Sequence, residues 1–187
     1  MSSAPMSGPD PAVDPASLTL HPFIRDLVDR LLAASPLAAC LLAGERDGPR
    51  LAGQVRAFPS TDMASFDTSA HRRYGRCLFL SLELLAFFRD CYLSDSAQAL
   101  DPLVSPLRAP NLSHQPPTRL SLAEHDLLRD EALALARRLQ EAGVPCETTV
   151  QTGMIHGFFG MHGIGPEEKG LAEAAAFLRR VLRVETP

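Results

Sequence analysis

His156 stands in the run Thr152-Gly153-Met154-Ile155-His156-Gly157-Phe158-Phe159, flanked by glycines at a predicted strand end, where an imidazole is open to approach. About thirty residues upstream, Glu124-His125-Asp126 follows a second predicted strand. A carboxylate that accepts a hydrogen bond from one ring nitrogen fixes the histidine tautomer and leaves the other nitrogen free to take a proton. Asp126 and His156 are therefore read as a catalytic pair, an orienting acid and a general base. Each residue taken singly has a plainer reading. Asp126 can cap the helix that follows it, with Asp130 and Glu131 as ordinary first-turn acids. His156 alone is equally well explained as a satisfied loop histidine. Their placement on consecutive strand ends favours chemistry. His125, His114, His71 and His21 have no such context and read as surface or packing residues. The run His162-Gly163-Ile164-Gly165 reads as a turn into the last helix.

The elements that must position the pair follow from periodicity. Thr118-Arg119-Leu120-Ser121-Leu122-Ala123 is a short predicted strand, and a helix over 128–142 follows with Leu128, Ala132, Leu135 and Leu139 inward. Residues 147–151 form the next strand, and a helix over 167–182 presents Leu171, Ala175, Leu178 and Leu182 on one face. Strand, helix, strand, helix is a βαβα order, which the right-handed crossover rule turns into parallel strands. In such a sheet, chemistry collects beyond the carboxyl ends of the strands. Upstream, the pattern predicts helices over 21–34, 37–43 and 80–93, a strand over 51–58 weakened by Gly53, and a polar loop from Pro59 to Gly75. Pro102, Pro106, Pro110, Pro116 and Pro117 exclude a long regular element between the helix over 80–93 and the strand at Thr118.

Composition narrows the partners. The 187 residues are 45% hydrophobic and 21% charged, a globular balance, and a net charge of -4 gives no basic footprint for nucleic acid or an anionic membrane. Cys40, Cys77, Cys91 and Cys146 are widely spread, without zinc-ligand spacing, and read as buried free thiols; no metal is expected. Glycine-rich phosphate-binding patterns are missing, so no cofactor is expected either. Residues 1–17, rich in Pro and Ser, read as a flexible tail that is neither a signal peptide nor a membrane span, ahead of one domain in a cytoplasmic protein.

Four stretches, in order and spacing as well as in residues, resemble the carboxyl-terminal portion of the hormone-sensitive-lipase-like (fold-3) branch of the α/β-hydrolases. They are Asp101-Pro102-Leu103-Val104-Ser105-Pro106-Leu107, Ala123-Glu124-His125-Asp126-Leu127-Leu128-Arg129-Asp130-Glu131, Ala142-Gly143-Val144-Pro145 and Gly153-Met154-Ile155-His156-Gly157-Phe158. The resemblance implies a partial α/β-hydrolase fold: a short, mostly parallel sheet of about three strands flanked by helices, with remnants of a helical cap. It makes Asp126 the triad acid and His156 the triad base, acting on a small acyl ester. Residues 51–62 resemble the family's sixth strand and the turn after it, and 78–95 resembles a cap helix.

Upstream the resemblance breaks. Residues 21–34 resemble an amino-terminal cap helix, whereas 37–50 resembles the helix that begins just after the nucleophile, so an incomplete domain over 18–187 joins a cap-like segment, 18–36, to the carboxyl-terminal half, 37–187. No His-Gly-Gly oxyanion loop and no Gly-x-Ser-x-Gly elbow occurs in the sequence, and Ser35, between Ala34 and Pro36, lacks the glycines of such an elbow. Loss of a triad nucleophile costs on the order of 10⁶ in turnover. The expectation is a hydrolase-family chain that is weak or inactive in isolation. The alternative is a non-catalytic interaction module, or a half-enzyme completed by a partner chain, because the sixth strand is left with an exposed edge open to a protein partner or to self-association.

Overall fold

The computed structural model describes residues 36–46, 48, 50–76 and 79–183. The predicted tail and first helix, Ser35 and Cys77 lie outside the described residues. Three parallel strands, β1 (Gln54–Ala57), β2 (Thr118–His125) and β3 (Cys146–Ile155), form one sheet in that order. Gln54 lies opposite Thr118, and Thr118 opposite Cys146, so the strands start level. Helices α1 (Pro36–Glu45), α2 (Ser69–Tyr74), α3 (Leu82–Tyr92), α4 (Arg129–Glu141) and α5 (Gly165–Leu182) accompany the sheet. None is long and apolar enough to cross a membrane.

β2 is the middle strand, and its composition suits that place: Leu120, Leu122 and Ala123 are buried. α4 supplies the crossover to β3, with Ala132, Leu135, Ala136 and Leu139 buried as its 3.6-residue period requires. Ala132 and Ala136 pack on Leu120 and Leu122, while Leu135 and Leu139 join Leu41 of α1, Ala109, Leu112 and Val144. Each buried leucine contributes about 1.5–3 kcal/mol. Gly143, at φ 77, turns the chain at the end of α4, and the Val144 amide returns to the Leu139 carbonyl.

Several expectations change. The loop over 59–75 contains α2, whose Ser-Ala-His-Arg-Arg-Tyr sequence has no apolar stripe; Thr68 caps it by accepting from the His71 amide at 3.0 Å. The Pro-rich stretch holds no long element, as expected: only a 3₁₀ turn, Pro106–Arg108, lies within it, and another, Ser96–Leu100, just before it. β2 and β3 run further than expected, to His125 and Ile155, with a register shift between Ala123 and His125. On α5 the expected inner face is overturned. Leu171, Leu178 and Leu182 are exposed, whereas Glu167, Gly170 and Phe177 are buried. Two glycines decide this rotation: a Cβ at Gly170 would sit 2.7 Å from the Phe159 ring, and one at Gly53 would sit 2.8 Å from Val181 and 3.3 Å from Phe177. Gly53 thus admits α5 against the start of β1. Of the cysteines, Cys40 is buried, but Cys91 and Cys146 are only half-buried.

Candidate active site

Asp126 is the first residue after β2 and His156 the first after β3, so neighbouring parallel strands deliver both side chains to the same end of the sheet. His156 Nδ1 lies 2.9 Å from Asp126 Oδ2. The other carboxylate oxygen, Oδ1, accepts from the Leu128 amide at 2.9 Å. That bond closes a turn just ahead of α4, whose N-cap is Leu128 with no side-chain cap bond, so the capping expected of Asp126 is not what its carboxylate does. The side chain of Asp126 is 1% exposed and that of His156 is 22% exposed, so the acid is sealed and the base is reachable. With Nδ1–H donating to a fixed carboxylate, Nε2 is the nitrogen left to accept a proton.

Backbone geometry around the imidazole is specific. Gly157 takes φ 81 directly after His156, and Gly153 takes φ 74 within β3, where its amide donates to Glu124 Oε2 at 2.8 Å. Phe58, at the end of β1, holds φ 38 and lays its ring 5.0 Å from the His156 ring and 5.2 Å from that of Phe158. A cleft of about 410 Å³ opens beside His156, walled by Val55 and Ala57 of β1 and by Leu85 and Phe88 of α3. α3, within the stretch likened to a cap helix, lines one side of this space. Arg56 also reaches the cleft; burial lowers its guanidinium to about 10. Ser60 lines it too, but its hydroxyl turns to Met63 Sδ at 3.8 Å and to Glu131. Among the described residues, Asp126 is the hydrogen-bond partner of His156.

A second histidine–carboxylate pair was not legible in the sequence. His71, read as surface or packing, is fully buried in α2, and its Nε2 lies 3.4 Å from Oε2 of Glu131, which is equally sealed. His71 Nδ1 accepts from the Thr68 amide at 3.1 Å, which leaves the proton on Nε2 facing Glu131. Glu131 Oε1 accepts from the Thr61 and Asp62 amides. Burial pushes Glu131 up to about 8, against the pull of those amides, and pushes His71 down. Asp130 in turn accepts from the Ala70 amide at 2.8 Å. The two first-turn acids of α4 are thus anchors for α2 and the turn after β1, beyond any effect on the helix dipole. Tyr74 and His125 meet at 3.4 Å, whereas His114 is exposed and His162 pairs with Glu167 at 3.0 Å.

The chain belongs to the alpha/beta hydrolase fold family, whose sequence model matches residues 36–160, and within it to the hormone-sensitive-lipase-like branch. It is 36% identical over 144 residues to an ethyl acetate hydrolase of Pseudomonas putida, a match covering 75% of this chain and 44% of that protein. An arylesterase of Saccharolobus solfataricus is 35% identical over 127 residues, covering 66% of this chain and 40% of the relative. Among solved structures, a thermostable esterase from Pseudomonas putida superposes with a TM-score of 0.74 at 30% identity, covering 79% of this chain and 48% of that one. The esterase of Pyrobaculum calidifontis gives 0.74 at 28% identity, covering 78% and 48%. The chain therefore spans less than half the length of these relatives.

Proposed function

We propose that this chain is a carboxylesterase-like protein that keeps the acid and base of a Ser-His-Asp triad, Asp126 and His156, without a nucleophile of its own. Its isolated activity on small acyl esters is then weak or nil. The observation that carries the reading is the buried Asp126 carboxylate 2.9 Å from His156 Nδ1, with an apolar cleft beside the ring. Chemically, the pair can orient and accept a proton, but acyl transfer also needs an attacking oxygen and donors for the oxyanion. Ser60, the serine in the cleft wall, is turned to Met63 and Glu131, and the sequence has no Gly-x-Ser-x-Gly. Incubation with a short-chain aryl ester and with a serine-directed phosphonate tests this. The expected result is no burst and no covalent adduct; turnover accompanied by labelling of a serine would overturn it.

A second reading is favoured by one feature of β1. Val55, Arg56 and Ala57 line the same cleft as His156, and the outer edge of β1 is unpaired among the described residues. A partner strand added to that edge would lie beside the imidazole. In this reading the chain is an interaction module, or half of an enzyme whose nucleophile comes from a second polypeptide or a preceding segment. Light scattering decides against it if the protein is a stable, monodisperse monomer that a serine-bearing partner fragment leaves unchanged.

A further inference from the structure

Backbone strain in this chain collects around one imidazole. Among the described residues other than glycine, three take a positive φ: Phe58 at 38, Phe79 at 29 and Arg183 at 53. Arg183 is the left-handed cap at the end of α5, an ordinary way for a helix to stop. Neither phenylalanine ends a helix, and both lie against the His156 turn. The Phe58 ring sits 5.0 Å from that of His156, and a Cβ at Gly157 would stand 3.2 Å from the Phe79 ring. A residue with a Cβ is disfavoured at such a φ, so it persists only where its surroundings over-determine it, and such positions cluster at functional sites.

Phe58 is over-determined at its backbone and at its ring. Its amide donates to the Ser121 carbonyl at 2.9 Å, which carries the β1–β2 ladder just past Ala57. Pro59 favours extended backbone at the residue before it, so these contacts override two local preferences. The ring is caught by two others, Phe158 edge-on at 5.2 Å and Phe159 at 5.6 Å, which are themselves stacked at 4.6 Å. The stack reaches back to α5, where Gly170 leaves room for the Phe159 ring; a Cβ there would stand 2.7 Å from it.

The strained backbone places the Phe58 ring beside a histidine that is tied at one end. Asp126 holds Nδ1 with a single bond of 2.9 Å. Hydrogen-bond directions at a carboxylate oxygen are broad, so one bond leaves the imidazole room to swing and a second contact must restrict it. We propose that Phe58 is a positioning residue that completes the orientation of His156: its ring restrains the imidazole so that Nδ1 stays on Asp126 and Nε2 is left to the cleft that Phe58 and His156 both line. The proposal rests on the reading of His156 as a base oriented by Asp126. Asp126 selects the tautomer, and Phe58 keeps the ring where that selection operates.

The test is nitrogen NMR of the full chain labelled at histidine, in which the shifts of the two His156 ring nitrogens give the ratio of Nδ1–H to Nε2–H tautomer once the ring is neutral. The parent should show Nδ1–H in clear excess. Phe58→Leu keeps an apolar side chain and removes the aromatic ring, so the ratio should fall by roughly threefold or more, the worth of one aromatic pair. Phe58→Tyr should restore it. Should Phe58→Leu fail to fold, Phe159→Leu loosens the stack one ring away from the imidazole and should lower the ratio about twofold. A parent without the Nδ1–H excess would sink the reading of Asp126 as orienter, and the proposal with it. A parent with that excess, unchanged in the folded leucine variants or lost equally in Phe58→Tyr, would overturn the role of Phe58 alone.

Discussion

His156 with Asp126 and His71 with Glu131 are the same two functional groups in different surroundings, and the surroundings decide what each pair can do. In the first, the carboxylate holds Nδ1 and the other ring nitrogen is left to a cleft. In the second, Nδ1 takes the Thr68 amide, Nε2 faces Glu131, and neither group reaches solvent. A histidine with a spare, reachable nitrogen can move a proton; one sealed from solvent, with Nδ1 bonded and Nε2 packed 3.4 Å from a buried carboxyl, is a structural tie. The tie is extensive: Glu131, from the first turn of α4, collects the turn after β1 through Thr61 and Asp62, and α2 through His71. The cleft beside His156 is walled by β1 and bounded by the turn that Glu131 holds. The sealed pair thus frames the open one.

Removing Glu131 should produce the largest effect. Glu131→Ala leaves the Thr61 and Asp62 amides without their acceptor in a dry site, and each buried donor left unpaired costs about 1–3 kcal/mol. Urea unfolding followed by circular dichroism reads that loss as a lower midpoint. A shift below about 1 kcal/mol would mean that the two pairs are alike and that Glu131 is an ordinary first-turn acid.

How the two pairs read in the sequence follows from the same contrast. Asp126 and His156 are legible because strand periodicity ends just before each, and because open chemistry sits at strand ends in parallel sheets. Glu131 and His71 carry no such signal. An acid in the first turn of a helix has a sufficient explanation in the dipole, and α2 is too short and too polar to show a period, so nothing marks His71 as buried. α4 was legible throughout, since its buried face is built from regularly spaced Ala and Leu. α5 misled because its leucines keep a helical spacing while glycine notches at Gly170 and Gly53 admit aromatic rings from the other side. Close approach at a glycine depends on the partner surface, which a one-dimensional pattern does not contain.

The second way to separate the pairs is pH. Glu131 has an ordinary value of 4.5 and is held up at about 8 by burial, so the folded protein binds the extra proton between those values, and stability falls as pH rises through that window. His71 is lowered from 6.5, again by burial, so its contribution is present above 6.5 and is lost as pH falls through its folded value. Just below pH 6.5 the two slopes oppose each other. Between 6.5 and about 8 only that of Glu131 remains, and stability should decline there by up to about 1.4 kcal/mol per pH unit. Glu131→Gln should flatten this decline in urea melts taken at intervals of pH. An unchanged slope in that variant would assign the decline to other groups.

The smallest effect on stability should carry the largest effect on reactivity. Asp126→Asn retains an oxygen to accept from the Leu128 amide, so the turn ahead of α4 is kept, and the loss is that of one charge-assisted hydrogen bond, about 1–2 kcal/mol. At Oδ2, however, the substitution can place an NH₂ group opposite His156 Nδ1. The ring then accepts at Nδ1 and carries its proton on Nε2, so the nitrogen facing the cleft becomes a donor and has no lone pair to offer. Diethyl pyrocarbonate attacks an unprotonated, accessible ring nitrogen, and peptide mapping assigns the modified residue. His156 should react in the parent protein and slow roughly tenfold or more in Asp126→Asn, while His71 stays unmodified in both until the protein unfolds. Equal rates at His156 in the two proteins would show that Asp126 does not set its tautomer. The open pair would then differ from the sealed one only in exposure, and the proposed division between base and tie would fail.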